Sequence, residues 1–178
     1  MNREPIKILA DIIEDCFNKS ITYPALTSDQ IFIYNQDFKI PEDDRLYIIL
    51  QYNNTENYST TNRFIPADEG VEGAQENIAM LTKEDYTINV ISKSDEARQR
   101  KEEVILSLNS NFSQDQQGLY QFQIARVSNS FVNLSELEGA GMVNRFAITV
   151  SVLAHYDKTM DTTYYDDFTN EIEVDPTI

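Results

Sequence analysis

The segment 145–156 alternates apolar side chains with smaller or more polar ones more strictly than any other part of the sequence. Successive side chains of a β-strand point to opposite faces of a sheet, so this alternation predicts a strand with one face in a core. The face predicted to be buried carries Phe146, Ile148, Val150, Val152, Ala154 and Tyr156. The chain is therefore predicted to fold around a sheet to which this strand belongs.

Two segments have the periodicity of amphipathic helices. In 4–18, apolar residues recur at steps of three and four, and Pro5 stands where a first helical turn tolerates it. The second helix starts after Ser94 and Asp95 and is predicted to end near Leu108. Cys16 lies on the apolar side of the first helix, and we expect an inert, packed thiol there.

Further strands are predicted from short runs of β-branched and aromatic residues. They cover 30–34, 45–53, 59–65, 86–92 and 118–127. Polar stretches that contain glycine, proline or several acids separate these elements and are predicted to be loops. These loops are 35–44, 54–58, 66–79 and 128–144.

The order of elements predicts an α+β fold, with a mostly antiparallel sheet and two main helices packed on one face. Residues 1–156 are predicted to form this domain. Residues 157–178 hold seven acids against one lysine and are predicted to form an acidic C-terminal arm. Because this arm also carries large apolar residues, we expect it to pack on its own subunit or on a neighbour.

Charge excludes several classes of function. The net charge is −16, and the densest basic run, Arg98, Arg100 and Lys101, is followed at once by two glutamates. We expect these cations to point outward and to pair with those glutamates or with a neighbouring subunit. A strong nucleic-acid or anionic-membrane site is not expected. No apolar run approaches the roughly 20 residues of a membrane helix, and no secretory segment is recognised, so we expect a cytoplasmic protein.

No residue pattern predicts catalysis, a cofactor or a metal. Ser151, His155 and Asp157 share one face of the last strand, but Ser151 and His155 are about 13 Å apart along it, too far for proton transfer. The abundant carboxylate pairs are typical of a solvated acidic surface. One cysteine and one histidine offer little to a zinc ion. The expectation is a protein that is not an enzyme.

The order and spacing of three stretches resemble the tail terminator proteins of long-tailed bacteriophages, also called tail-completion or neck proteins. The first stretch is the N-terminal helix followed by 31–37, a loop with Pro41 and the strand 45–53. The second is 85–92, which leads through 94–97 into a helix. The third is 144–156 after a long loop, with the aromatic and acidic stretch 164–168 beyond it.

This resemblance implies a structural virion protein at the head–tail junction, assembled in the host cytoplasm. Such subunits form a ring, typically hexameric, at the head-proximal end of the tail tube, where they end tube polymerisation and give the head connector a docking surface. The implied partners are other copies of the chain, the tail-tube protein, head connector or adaptor proteins and, in tails that have one, the sheath protein. Genomic DNA would pass an acidic lumen without specific binding.

The residues expected at assembly interfaces are charged or aromatic and lie in loops, at strand ends, on the second helix or in the acidic arm. They are Asp37, Asp43, Asp44, Arg98, Arg100, Lys101, Glu138, Arg145, Tyr164, Tyr165 and Phe168.

Two alternative functions stay open at the level of sequence. One is a head-side connector or adaptor protein of the neck. The other belongs to a different class, a small soluble enzyme or ligand-binding domain whose site uses His155 and the 128–144 loop.

Overall fold

The computed structural model describes residues 4–33, 43–65, 74–138 and 141–162. The described part of the chain contains three helices and seven strands. The helices are α1 (Pro5–Asn18), α2 (Glu96–Leu108) and α3 (Asn111–Tyr120). The strands are β1 (Ile31–Ile33), β2 (Tyr47–Ile65), β3 (Ala74–Ser92), β4 (Phe122–Val127), β5 (Val132–Asn133), β6 (Glu136–Glu138) and β7 (Gly141–Thr162).

The sheet is mixed, and its order is β1-β2-β3-β7-β4. Strands β2, β3, β7 and β4 pair antiparallel in succession, whereas the short β1 pairs parallel with β2. The short β5 and β6 pair with the first part of β7. The α+β class is thus confirmed, with one parallel pair in an otherwise antiparallel sheet.

The core lies between one face of the sheet and the helices. In the helix-covered parts of β2, β3 and β7, alternate residues are buried on this face, including Ile48, Ile88 and Val150. Helix α1 contributes a fully buried stripe with a spacing of three and four, which is the pattern that predicted the helix. The stripe consists of Ile8, Leu9, Ile12, Ile13 and Phe17. Each such side chain contributes about 1.5–3 kcal/mol through burial.

The two predicted main helices are accompanied by a third helix, and the predicted strand over 118–127 begins only at Phe122, so the prediction was wrong for residues 118–121. Ser110 caps a third helix, α3, by accepting a hydrogen bond from the Ser113 backbone N–H at 3.1 Å. The helix ends at Gln121, which has a left-handed backbone with φ of 53°, and β4 starts at the next residue. Gly118, interpreted as the start of a strand, lies within α3 with open space around its Cα.

The predicted loops 54–58 and 66–79 were also wrong where the structure describes them. Strand β2 continues to Ile65 with bulges between Tyr52 and Asn54 and between Asn57 and Ser59, and β3 begins at Ala74. Residues 66–73 lie outside the described part of the chain. The sequence 51–65 contains neither glycine nor proline, and its many threonine and tyrosine residues suit a strand once a partner is present.

The predicted 128–144 loop contains β5, β6 and the start of β7 in its described residues. The predicted boundary between 156 and 157 falls inside β7, which continues to Thr162. The rest of the predicted acidic arm, residues 163–178, lies outside the described residues, as do residues 34–42 of the first loop.

Three strands extend together beyond the helix-covered body. Residues 59–65 of β2, 74–81 of β3 and 155–162 of β7 form an antiparallel three-stranded sheet, and Ser59, Leu81 and His155 lie in one row across it. We call these residues the extension. Of its described side chains, 59–65, 75–81 and 155–161, none is buried. At about 3.3 Å per residue, the extension projects roughly 25 Å from the body.

Candidate assembly interface

The sheet has a near end, opposite the extension, where β2 and β3 meet the start of β7; we define it as residues 43–47, 91–95 and 142–146. Asp43 lies at its surface. Its carboxylate accepts hydrogen bonds from the Tyr47 hydroxyl and from Arg45 Nε, each at 2.7 Å. These two hydrogen bonds hold the pKa of Asp43 below its usual value, and the one from Tyr47 has the larger effect. Arg45 NH1 also donates to Asp29 at 3.0 Å, which ties the near end to the turn before β1.

Asp44 contributes its backbone to the near end, while its side chain is exposed. Its carbonyl oxygen accepts hydrogen bonds from Ser92 Oγ at 3.0 Å and from Ser94 Oγ at 3.2 Å. The Asn144 amide then donates to the Ser94 carbonyl at 2.9 Å. These bonds hold the start of β2, the end of β3 and the start of β7 in one fixed arrangement, from which the Asp44 carboxylate faces solvent.

Arg145 and Lys101 flank this arrangement. The Arg145 guanidinium donates to the buried Asn89 through Nε at 3.2 Å and NH2 at 3.1 Å. Lys101 places its ammonium 5.3 Å from the centre of the Phe146 ring and forms an ion pair with Glu102. The near end therefore brings together the predicted residues Asp43, Asp44 and Arg145, with Lys101 beside them on α2.

Arg100 corrects the prediction of an outward-facing basic run, because its side chain is completely buried. Its Nε and NH2 donate to the two carboxylate oxygens of Glu103 at 3.0 and 3.1 Å, and its NH1 donates to Glu96 at 2.9 Å. NH1 also donates to the Pro24 carbonyl at 3.1 Å. The guanidinium thus fixes the α1–β1 connection to α2, and it is not available to a partner.

Two aromatic rings complete the surroundings of Arg100. The guanidinium carbon lies 4.9 Å from the ring centre of Phe17 and 5.0 Å from that of Tyr23. A planar guanidinium suits both stacking and bidentate pairing, which explains why α2 carries an arginine here. Burial of one basic residue out of three follows from the helical turn, which points 98, 100 and 101 in different directions.

The other predicted interface residues are spread out. Arg98 is exposed on α2, and Glu138 ends β6, where it pairs with Gly141. The predicted residues Asp37, Tyr164, Tyr165 and Phe168 lie outside the described residues.

Cys16 lines a surface cavity of about 550 Å³ between the three helices, together with Tyr23, Leu106 and Phe112. It is half-buried and not part of the core cluster. The pKa of its thiol is raised, mainly by burial and to a smaller extent by the nearby carboxylates of Glu103 and Asp15. The thiol form is thereby favoured, and the reactive thiolate is disfavoured.

A buried carboxylate lies where the extension leaves the body. Glu84 on β3 accepts hydrogen bonds from the Tyr86 hydroxyl, from the Tyr156 hydroxyl at 2.7 Å and from Thr82 Oγ1 at 3.2 Å. The pKa of both tyrosines is raised, mainly by burial and next by the Glu84 carboxylate, so both remain neutral donors. This cluster joins β3 to β7 at the base of the extension.

The residues of the alternative catalytic hypothesis are kept apart. Ser151 donates to Asp85 and not to His155, which is exposed in the extension. The described part of 128–144 reaches β7 no further along than Thr149, whose carbonyl accepts a hydrogen bond from the Ser128 backbone N–H at 3.0 Å. Thr149 is six residues from His155, a distance of about 20 Å along the strand. The described residues of that loop and His155 are therefore not brought together within a subunit.

The extension itself was missed by sequence reasoning. Its exposed large apolar residues include Phe64 and Ile65, 46% and 40% exposed, in a segment otherwise rich in asparagine, serine and threonine. The available signal was the absence of glycine and proline from 51–65, which is consistent with one continuous strand in place of the predicted loop at 54–58.

No protein-family model matches the chain, and neither does any curated protein. Among the residues that the structure describes, no cluster of three or more His, Cys, Asp and Glu residues is arranged to hold a metal ion. None of the described helices is long and apolar enough to cross a membrane.

Proposed function

We propose that the chain is a ring-forming subunit at the head-proximal end of a long bacteriophage tail, where it ends tail-tube polymerisation and receives the head connector. The proposal starts from the order and spacing of the three sequence stretches that resemble tail terminator proteins. This function needs a subunit with a rigid body, with one set of surfaces that bind identical neighbours and another that binds the last ring of the tube.

The observation that carries this proposal is the extension. A three-stranded sheet that buries no described side chain gains little stability by itself, because sheets need a covered apolar face or a packed neighbour. Such a sheet, joined to a helix-covered body, is typical of a subunit completed by its neighbours. An enzyme needs a concave site with convergent polar groups, and the residues proposed for one are far apart here.

The distribution of charge suits a channel protein. The whole chain carries −16, so a ring of several copies presents a strongly acidic surface. Acidic walls repel phosphate and let a genome move without being held. Assembly then has to overcome repulsion between copies, and we expect it to strengthen as salt is raised.

Light scattering on the purified chain tests ring formation. A hexamer of 20.5 kDa subunits has a mass of about 120 kDa. The ring proposal predicts this species, or another closed ring, at high protein concentration and 0.5 M salt, or on addition of tail-tube ends. A chain that stays monomeric in both conditions contradicts it.

Electron microscopy of phage particles made without the chain separates the terminator from the neck adaptor. A terminator predicts overlong tails, and a plasmid copy of the gene should restore the normal length. Tails of normal length that are detached from heads would instead assign the chain to the head-side adaptors. Normal, complete particles would contradict both functions.

A further inference from the structure

Among the described residues, no strand covers the outer edges of the extension, which belong to β2 and β7. Strand β1 covers the outer edge of β2 only at Ile48–Leu50, and within the described residues no strand pairs with that edge beyond Leu50. On the opposite side, β4 covers β7 as far as Ala154, and no described strand pairs with the outer edge of 155–162. Within the described part of the chain, two rows of backbone N–H and C=O groups at these edges therefore have no strand partner.

Among the described residues, the β2 edge at 59–65 lacks the usual protection against pairing, whereas the β7 edge at 155–162 carries three charged residues. Natural edge strands are blunted by proline, by inward-pointing charges, by shortness or by a covering element. The β2 edge at 59–65 contains neither proline nor glycine and has one charged residue, Arg63. It is uniformly exposed and free of the two bulges, which lie nearer the body. Such an edge is suited to accept another strand.

The helix-side face of the extension is largely apolar, and it also carries Glu76 and Lys158. The register places five large apolar side chains on this face, and all are partly or well exposed. They are Phe64, Ile78, Met80, Tyr156 and Met160. Pairing at the edges would continue this face into a neighbouring sheet and bury part of it.

Charge indicates that the neighbour is a second copy of the chain. The extension carries two basic and three acidic residues, nearly balanced, within a chain of net charge −16. The two basic residues are Arg63 and Lys158, and the three acids are Glu76, Asp157 and Asp161. Copies of an acidic protein repel one another least where each is close to neutral, whereas a basic partner would be attracted to the acidic body.

We propose that the outer edge of β2 in one copy pairs with the outer edge of β7 in the next, so that the extensions form a continuous sheet around the ring. This inference rests on the ring function proposed above. Both strands run antiparallel to β3 and so run in the same direction, which makes the new contact a parallel pair. The two edges match in length, at about 23 Å for 59–65 and about 26 Å for 155–162. A contact between two different edges is head-to-tail, the type that closes into rings.

Cross-linking between two single-cysteine variants tests the pairing. Both variants carry Cys16→Ser; one adds Ser59→Cys on β2 and the other His155→Cys on β7, two exposed positions in the same row. With a short bis-maleimide, the proposal predicts covalent dimers in the mixture and none in either variant alone, because equivalent positions of neighbouring copies lie three strand spacings, about 14 Å, apart. Dimers of the Ser59→Cys variant alone, or a mixture that forms rings without cross-links, would overturn it.

A pair of proline variants provides the second test. Adjacent residues of a strand point their N–H groups to opposite sides, so one of Thr60→Pro and Thr61→Pro removes an N–H from the open edge and the other removes one from the pairing with β3. The edge variant should keep the melting temperature of the wild type and lose ring formation, whereas the other should lose melting temperature.

Rings that persist in the variant with unchanged melting temperature would overturn the edge pairing while leaving the ring function intact. A wild-type chain that forms no ring in any condition would overturn both. The circular dichroism and light-scattering measurements are made on the same samples, so that loss of fold and loss of assembly are told apart.

Discussion

Replacement of Arg100 by alanine is predicted to destabilise the protein strongly, although a basic run followed by glutamates would suggest a tolerant surface. The side chain is completely buried, whereas its partners Glu96 and Glu103 keep 28% and 14% of their side-chain surface exposed. Alanine leaves two carboxylates close together without a cation and leaves the Pro24 carbonyl without its donor. It also removes the group that packs between two aromatic rings.

The magnitude follows from these contacts. Removal of one partner from a buried ion pair costs about 3–5 kcal/mol, because the remaining charge loses its compensation. Water reaches both glutamates in part, which places the expected loss near the lower end, at about 3 kcal/mol. For a domain of 150–250 residues, each kcal/mol lowers the melting temperature by roughly 2–4 °C. We therefore expect a fall of about 6–12 °C.

Urea unfolding followed by circular dichroism measures this loss, with three further variants as controls. Arg98→Ala removes an exposed arginine from the same helix and should change stability by less than about 0.5 kcal/mol. Arg100→Lys keeps the charge but not the planar fork, so its stability should lie between those of wild type and Arg100→Ala. The triple variant Glu96→Gln, Arg100→Met, Glu103→Gln should recover most of the loss, because no unpaired charge remains.

A loss below about 1 kcal/mol for Arg100→Ala would refute the reasoning, since it would mean that the carboxylates escape to water at little cost. A triple variant as unstable as Arg100→Ala would refute the electrostatic part of the reasoning. The loss would then come from packing between the rings and not from uncompensated charge.

Three further predictions concern stability and reactivity. Stability should fall as pH rises above about 10, because tyrosines of the unfolded chain lose protons there while the raised pKa of Tyr86 keeps it protonated beside Glu84. Urea titrations from pH 8 to 11 should show a smaller fall in stability for Tyr86→Phe than for the wild type. The control Tyr58→Phe, which changes an exposed tyrosine, should behave as the wild type. Cys16 should react with a disulfide reagent more slowly in the native protein than in urea at pH 8, owing to its raised pKa; equal rates would show an accessible thiolate. Leu9→Ala should cost about 2–5 kcal/mol in urea unfolding, because it empties a fully buried position of α1; a smaller loss would mean that the core closes over the gap.

Sequence periodicity predicted the elements that pack against the core. Helices α1 and α2 lie where their apolar spacing indicated, and β7 contains the alternating segment 145–156. A core-facing stripe has to repeat with the period of its own element, so local sequence carries that information. Three of the residues expected at assembly interfaces, Asp43, Asp44 and Arg145, lie at the near end, but nothing local indicated that serine hydroxyls and an asparagine amide would hold this end together.

The sequence by itself determined the α+β class, the buried faces of the main helices and of β7, and the acidic character of the chain. Only the tertiary structure decided that 54–58 and 74–79 are strands, because the pairing of β2 with β3 and of β3 with β7 supplies hydrogen bonds that no local pattern encodes. It also decided that Arg100 is buried, since Glu96, Glu103 and the connection at Pro24 have to meet around it before burial of a charge is tolerable. Short-range periodicity reports which side of an element is apolar, whereas long-range contacts determine what that side, and each exposed edge, will meet.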